Sequence, residues 1–208
     1  MAKQTRQRIL HTALTMFNAQ GEPNVTTNHI ADELEISPGN LYYHFRNKDD
    51  IIEQLFARFE ERMDAALSAP QGRLPGLEDI WLQLHLVFEC IWDYRFLHRD
   101  LVEILSRNRR LRLRFARILR RADEQAHGVM RGLSQAGIMR ASKDELAATA
   151  TNVLVIATFW LNYAAARGDR DEHAAIRAGI VQVLMLLAPF LRDAERVHLN
   201  TLVRAYID

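Results

Sequence analysis

Apolar residues recur at steps of three and four along nearly the whole chain, and nowhere alternate in the two-residue rhythm of a strand. That pattern predicts an all-α protein. Leu10, Ala13, Leu14 and Phe17 form the inward stripe of a first helix, with Gly21 as its stop. Ile30, Ala31 and Leu34 do the same for a short second helix capped by Thr26 or Thr27, leaving Asp32, Glu33 and Glu35 to solvent. Ile36 closes a turn, and Ser37 and Pro38 open a third helix as cap and first residue, where proline's missing N–H costs nothing. Leu41 and Phe45 lie four apart and face the core. Gly39 and Tyr43 therefore fall on the opposite side, flanked by Asn40, Tyr42 and His44. Two short helices joined by a turn, with hydroxyl, amide and imidazole groups outward and Lys48 just beyond, follow the grammar of a helix-turn-helix DNA reader.

A fourth helix runs from Lys48 to about Leu67 on the stripe Ile51, Ile52, Leu55, Phe56 and Phe59. The segment Ser68 to Gly76, SAPQGRLPG, is the clearest break in the chain. Residues 77–106 are the most aromatic part. Trp81, Leu84, His85, Phe88 and Trp92 fall at helical spacing there, as plain core packing would place them, and bulky aromatics mixed with His85 and Cys90 also suit the lining of an apolar pocket. Asn152, Phe159, Asn162 and Tyr163 on a later helix would face them. His85, Glu89 and Asp93 stand at four-residue steps, but without a fourth ligand of recognisable spacing they predict a surface or pocket wall, and neither metal nor cofactor is expected.

Arg107 to Arg121 holds eight arginines and no acid, while Leu111, Phe115, Ile118, Leu119 and Ala122 trace an apolar stripe, so this is an amphipathic basic helix. The stretch Leu146 to Ala166 carries no charge over 21 residues. Its threonines, asparagines and alanines make a poor hydrocarbon helix, and the next uncharged run, Ala178 to Leu191, is short and interrupted by Pro189, so no membrane span is expected. Small residues such as Ala147, Ala150, Ala157, Ala178 and Gly179 instead permit close approach. Helices spanning about 144–167 and 172–191 are expected to pair with their two-fold mates as the four-helix bundle of a homodimer.

Composition adds little to this picture. A chain of 208 residues, 49% apolar, can bury a sizeable core in one or two domains. The net charge is +1, and residues 1–50 carry five Lys or Arg against six Asp or Glu, so DNA binding would rest on placed donors rather than bulk charge. A lone Cys90 excludes an intramolecular disulfide framework. AKQTRQRIL lacks the apolar run of a secretion signal, and a cytoplasmic protein is expected; Lys3, Arg6 and Arg8 are further candidates for backbone contact. No phosphate-cradling glycine loop, nucleophile elbow or nucleophile–base pair stands out, so nothing favours an enzyme.

The segment TT.HIA..L.IS.G.LYYHF..K after an amphipathic first helix resembles the TetR family of bacterial transcriptional regulators, closely over about the first quarter of the chain and beyond it only by the helix pattern. A weaker likeness, at Tyr94 to Leu101, is to one subgroup of these regulators. The resemblance implies a three-helix DNA-binding domain over residues 1–47 and a helical effector-binding and dimerisation domain over 48–208, with helix four as connector. It implies that Thr27, Ser37, Tyr43, His44 and Lys48 grip phosphates, while Pro38, Gly39, Asn40, Tyr42 and Asn28 face base edges. With no Arg or Lys inside the recognition helix, the commonest guanine contact is missing and thymine methyls carry more of the readout. It also implies that the basic helix abuts the reader; a solvated face whose stems cover apolar surface is the plainer reading of its arginines, and the functional one puts Arg107, Arg109, Arg110 and Arg112 near the connector, pairing with acids of the reader or lending positive field towards DNA.

The expected protein is a ligand-responsive regulator, most simply a repressor. It binds a palindromic site on double-stranded DNA as a dimer and is released by a small, largely apolar effector held near Trp81, His85, Phe88, Trp92, Asn152, Phe159, Asn162 and Tyr163. The alternative is the same reader controlled by a protein partner, with no small effector.

Overall fold

The computed structural model describes residues 2–68, 73–169, 171–204 and 206; of Glu172 only the backbone is described. Residues 69–72 of the expected break lie outside them. Among the described residues eleven α-helices follow one another, α1 Ala2–Gln20, α2 Thr27–Glu33, α3 Pro38–His44, α4 Lys48–Ala66, α5 Leu77–Asp93, α6 Arg95–Arg99, α7 Leu101–Arg107, α8 Arg109–Gln135, α9 Lys143–Ala166, α10 Glu172–Leu187 and α11 Asp193–Arg204. Among the described residues there is no strand, only an isolated bridge between Met139 and Leu191. The protein is all-α.

The helices form two compact units, and each is discontinuous in sequence. Met1–Arg62 joins Asp93–Arg114, and Met63–Trp92 joins Phe115–Asp208.

In the first unit Leu10, Ala13 and Phe17 of the stripe expected for α1 are buried, with Ile9 beside them, whereas Leu14 is half-buried; the α4 stripe Ile51, Ile52, Leu55, Phe56 and Phe59 is buried throughout. Gly21, at φ 84°, supplies the left-handed residue after α1. The end of α1 is then tied to the 93–114 segment by polar groups. Buried Asn18 donates to the carbonyl of Asp93 at 2.8 Å and accepts the N–H of Phe96 at 3.1 Å. Arg99 donates to the carbonyls of Phe17 and Asn18 in the last turn of the helix, the first of which also accepts the N–H of Gly21 at 3.0 Å. Phe59 packs edge-on against Tyr94 and His98.

The basic stretch is not one helix. Arg107 ends α7, and Asn108 starts the next helix by accepting the N–H of Leu111 at 3.0 Å. An asparagine cap is locally as good as one more helical residue, which is why periodicity ran across it.

In the second unit α5 buries Leu77, Ile80, Leu84, Val87, Phe88 and Ile91. Ser142 and Glu145 close a capping box on α9, and Asp171 caps α10 by accepting the N–H of Ala174 at 2.9 Å. α9 and α10 pack together around Gly179. α10 stops at Leu187 and a tight turn through Pro189 follows, so it is shorter than the expected 172–191.

Candidate nucleic-acid interface

Each helix of the reader begins with a cap encoded on the spot. Thr26 accepts the N–H of His29 at 3.2 Å while its own N–H reaches His29 Nδ1 at 3.4 Å, so His29 completes a capping box where Glu or Gln is usual. Ser37 accepts the N–H of Asn40 at 3.2 Å, with Pro38 at the first helical position. The turn between them is made by Glu35, a non-glycine residue held at φ 53°.

Leu41 and Phe45 are buried and Tyr43 is 79% exposed, so α3 presents its opposite face to solvent as the four-residue spacing requires. Asn28, Ser37, Pro38, Gly39, Asn40 and Tyr42 are also exposed, and Thr27, His44 and Lys48 are half-buried. Two of these side chains meet each other: Thr27 Oγ1 and Tyr42 Oη are 3.1 Å apart, a hydrogen bond that ties α2 to α3 across the turn. Tyr43 and His44 stack edge to face. Arg6 lies over the ring of Phe45, 4.8 Å from its centroid. Nothing in the chain requires a glycine at 39. A Cβ there would meet only Ser37 Oγ, at 3.9 Å.

Lys48 is already engaged. Its ammonium pairs with Oε1 of Glu22 at 2.7 Å and donates to the Glu22 carbonyl at 3.0 Å. Glu22 is fully buried, a residue that sequence reasoning missed, and Arg107 reaches the same Oε1 at 2.7 Å. Burial pushes the Glu22 carboxyl up, but Arg107 and then Lys48 outweigh it and hold it below the ordinary carboxylate range. No local pattern betrays this acid, because its partners are 26 and 85 positions away. Beyond it Arg110 pairs with Glu53 and Arg114 with Glu60, both on α4, whereas Arg109 and Arg112 are exposed. In the second unit Arg121 pairs with Asp64.

Among the described residues, those expected around an effector fall into separate contacts. Trp81 stacks on His85 near Tyr206, Phe88 is buried against the position of Gly179, and Trp92 packs on His173. Asn152, Phe159, Asn162 and Tyr163 are exposed on α9. The buried stripe of α5 is turned by about one residue from the aromatic one, so a small cavity of about 60 Å³ lies instead against Ile80, Gln83 and Leu84 of α5, with Val129 and Met130 of α8 and Val153 of α9. Its walls are apolar apart from Gln83, whose Nε2 is buried without a hydrogen-bond partner among the described residues. His85 pairs with Glu89 and Asp93 with Arg62, so that four-residue ladder does not converge.

The first unit thus presents a helix-turn-helix of the DNA-reading class, and the second is a helical domain with a small apolar cavity. The family model described as bacterial regulatory proteins of the tetR family matches residues 9–55, and the TetR model described as bacterial transcriptional repressor matches residues 58–199. A solved TetR-family transcriptional regulator from Marinobacter aquaeolei VT8 is 39% identical over 97% of this chain and 98% of its own, with a TM-score of 0.88. The uncharacterized HTH-type transcriptional regulator TtgW of Pseudomonas putida is 41% identical over 71 residues, 34% of this chain. The HTH-type transcriptional repressor KstR2 of Mycolicibacterium smegmatis is 36% identical over 80 residues, 35% of this chain. The chain spans 53% and 38% of the length of these two curated relatives. SmeT in complex with triclosan shares the fold at 21% identity and a TM-score of 0.60, covering 92% of this chain and 94% of its own.

The chain belongs to the TetR family, and it is a helix-turn-helix transcriptional regulator.

Proposed function

We propose that the protein represses transcription by binding a palindromic operator as a homodimer, and that a small, largely apolar effector releases it. The observation that carries this is the outward face of α3. Asn40, Tyr42 and Tyr43 stand exposed beside a glycine that the chain itself does not need, which is what close approach of a nucleic acid asks for. In this reading residues 1–47 are the DNA-binding domain and 48–208 hold the effector and the dimer contact. Thr27, Ser37, Tyr43, His44 and Lys48 contact phosphates; Asn28, Pro38, Gly39, Asn40 and Tyr42 face bases.

The dimer face is α9 with α10. Val155, Phe159 and Tyr163 recur at four-residue steps and are 53%, 45% and 53% exposed, and Met185 of α10 is 41% exposed. Both helices are long and apolar enough to cross a membrane by composition alone, but only 28% of the α9 window and 44% of the α10 window are buried within the chain. A two-fold mate covers such a face while leaving the arginine-rich helix in water. The effector site is the cavity beside Gln83, enlarged by side-chain movement, since 60 Å³ is well below the roughly 150 Å³ that accommodates a benzene ring. Triclosan in the similarly folded SmeT agrees with an apolar ligand.

The test is selection of duplexes from a random pool by the purified protein at near-physiological salt, repeated with Tyr43→Ala and Lys48→Ala. A two-fold symmetric motif, weakened by both substitutions, is expected. No enriched sequence from a dimeric, folded protein would overturn the operator reading, and a monomer would overturn the dimer.

A further inference from the structure

Glu22 carries the strongest electrostatic demand in the first unit. Its side chain is 0% exposed, and a carboxylate removed from water needs a counter-charge. One cation suffices, yet two converge on the same oxygen. Lys48 and Arg107 both stand 2.7 Å from Oε1, while Oε2 accepts no hydrogen bond among the described residues. The backbone around the acid is pinned as well, because the Glu22 N–H donates to the carboxylate of Asp100 at 2.8 Å. The 93–114 segment therefore holds both the main chain and the charge of the turn that precedes α2.

The two cations are not equivalent. Arg107 also lies 3.5 Å from Asp49 and from Glu103, acids 52% and 58% exposed, whose influence water and salt screen. Among the described residues Lys48 makes its polar contacts to Glu22, through the carbonyl oxygen and Oε1, and its side chain is 26% exposed. An ammonium has three N–H donors, so one remains for a group outside the protein. Without Arg107 the ammonium of Lys48 would be the sole counter-ion of a buried carboxylate, and a phosphate drawing on it would leave that carboxylate unpaired.

We propose that Arg107 is a positioning residue for operator binding, whose charge on buried Glu22 releases the ammonium of Lys48 to engage a DNA phosphate. The proposal rests on the reading that Lys48 contacts phosphate. It gives α7, far from the reader in sequence, a direct hold on DNA affinity: withdrawal of Arg107 turns Lys48 inward, and its return turns Lys48 outward.

The experiment is a salt titration of operator affinity for the full-length protein and for Lys48→Met, Arg107→Met, Glu22→Gln and the Glu22→Gln/Arg107→Met double variant, with thermal melts to confirm folding. Lys48→Met is expected to weaken binding about tenfold and to lower the salt slope by about 0.9 for each reader on the DNA. Arg107→Met should match it in both respects, and the double variant should return to within about threefold of the parent, because a neutral residue at 22 no longer claims the lysine. Near-parental binding by Arg107→Met beside a weak Lys48→Met overturns the proposal. So does a double variant that stays weak, which would mean that Arg107 touches DNA itself or serves only folding. Parental binding by Lys48→Met removes the phosphate reading instead, and this inference with it. Should Arg107→Met fail to fold, Glu22→Gln alone decides: equal or tighter binding supports the proposal, and weaker binding overturns it.

Discussion

Gly39 on α3 and Gly179 on α10 are both helical glycines, and they answer to different masters. A Cβ at 179 would lie 2.6 Å from Cδ1 of Trp160 and 2.7 Å from Cε1 of Phe88, and the indole cannot swing away because its N–H is held by the carbonyl of Ala175 at 2.6 Å. A Cβ at 39 would make only an ordinary contact with Ser37 Oγ, at 3.9 Å. One glycine is required by the fold; the other, in the reading proposed above, by the nucleic acid it faces. A helical glycine otherwise costs stability relative to alanine, so each position must be justified, and the justification tells core from interface.

Substitution can break that contrast. Gly179→Ala is expected to destabilise by about 3 kcal/mol, through overpacking against rings that cannot move, while operator affinity per folded protein stays unchanged; urea melts and DNA titration read the two quantities separately. Gly39→Ala should do the reverse, lowering operator affinity about tenfold, roughly 1.4 kcal/mol, while thermal stability holds or rises by about 0.5 kcal/mol. Equal melting shifts for the two variants would end the distinction. Within the reader, Thr26→Ala removes a capping box and should cost about 1 kcal/mol in a urea melt. Glu35→Gly relieves a left-handed backbone and should gain about 0.5 kcal/mol in the same assay, provided the turn is strained as its φ of 53° indicates.

The smallest effect is on pH dependence. The folded carboxyl of Glu22 sits below its ordinary value of 4.5, so its contribution to stability is complete above that pH and is lost as pH falls through the folded value. Stability measured from pH 5 downward should therefore fall more steeply for the parent than for Glu22→Gln, and parallel curves would show that the two cations do not hold the acid in its charged form.

What the sequence disclosed follows from how local each signal is. The caps Thr26 and Ser37, the stop at Gly21, the α4 stripe from Ile51 to Phe59 and the outward Tyr43 are all set by residues within one or two turns, and each was legible. The breaks at Tyr94, Asp100 and Asn108 were not. No proline or glycine marks them; at Tyr94 and Asp100 the chain is engaged with Asn18 and Glu22 from the other end of the unit, and at Asn108 the side chain caps the next helix. The cavity beside Gln83 was not legible for a related reason. Trp81, His85 and Trp92 and the buried set Ile80, Leu84, Val87 and Ile91 both satisfy helical spacing on α5, and size drew attention to the aromatic set, whereas burial follows packing against α8 and α9. Glu22 looked like one acid in a polar turn. Only the positions of Lys48 and Arg107 show it to be the centre of the unit's charge network.

The cap on α1 also has a temporal side. Arg99, which closes the end of that helix, and Arg107, which neutralises the acid following it, are made long after the helix they complete. During synthesis the first 62 residues emerge with Asn18 and Glu22 lacking these partners, and at about 5–20 residues per second the chain needs roughly 3–10 s more to reach residue 114. Over that interval Glu22 has Lys48 as its cation but not Arg107, and the end of α1 lacks Arg99. The first unit therefore gains the contacts that hold the main chain and the charge of the turn after α1 only once α7 has been made.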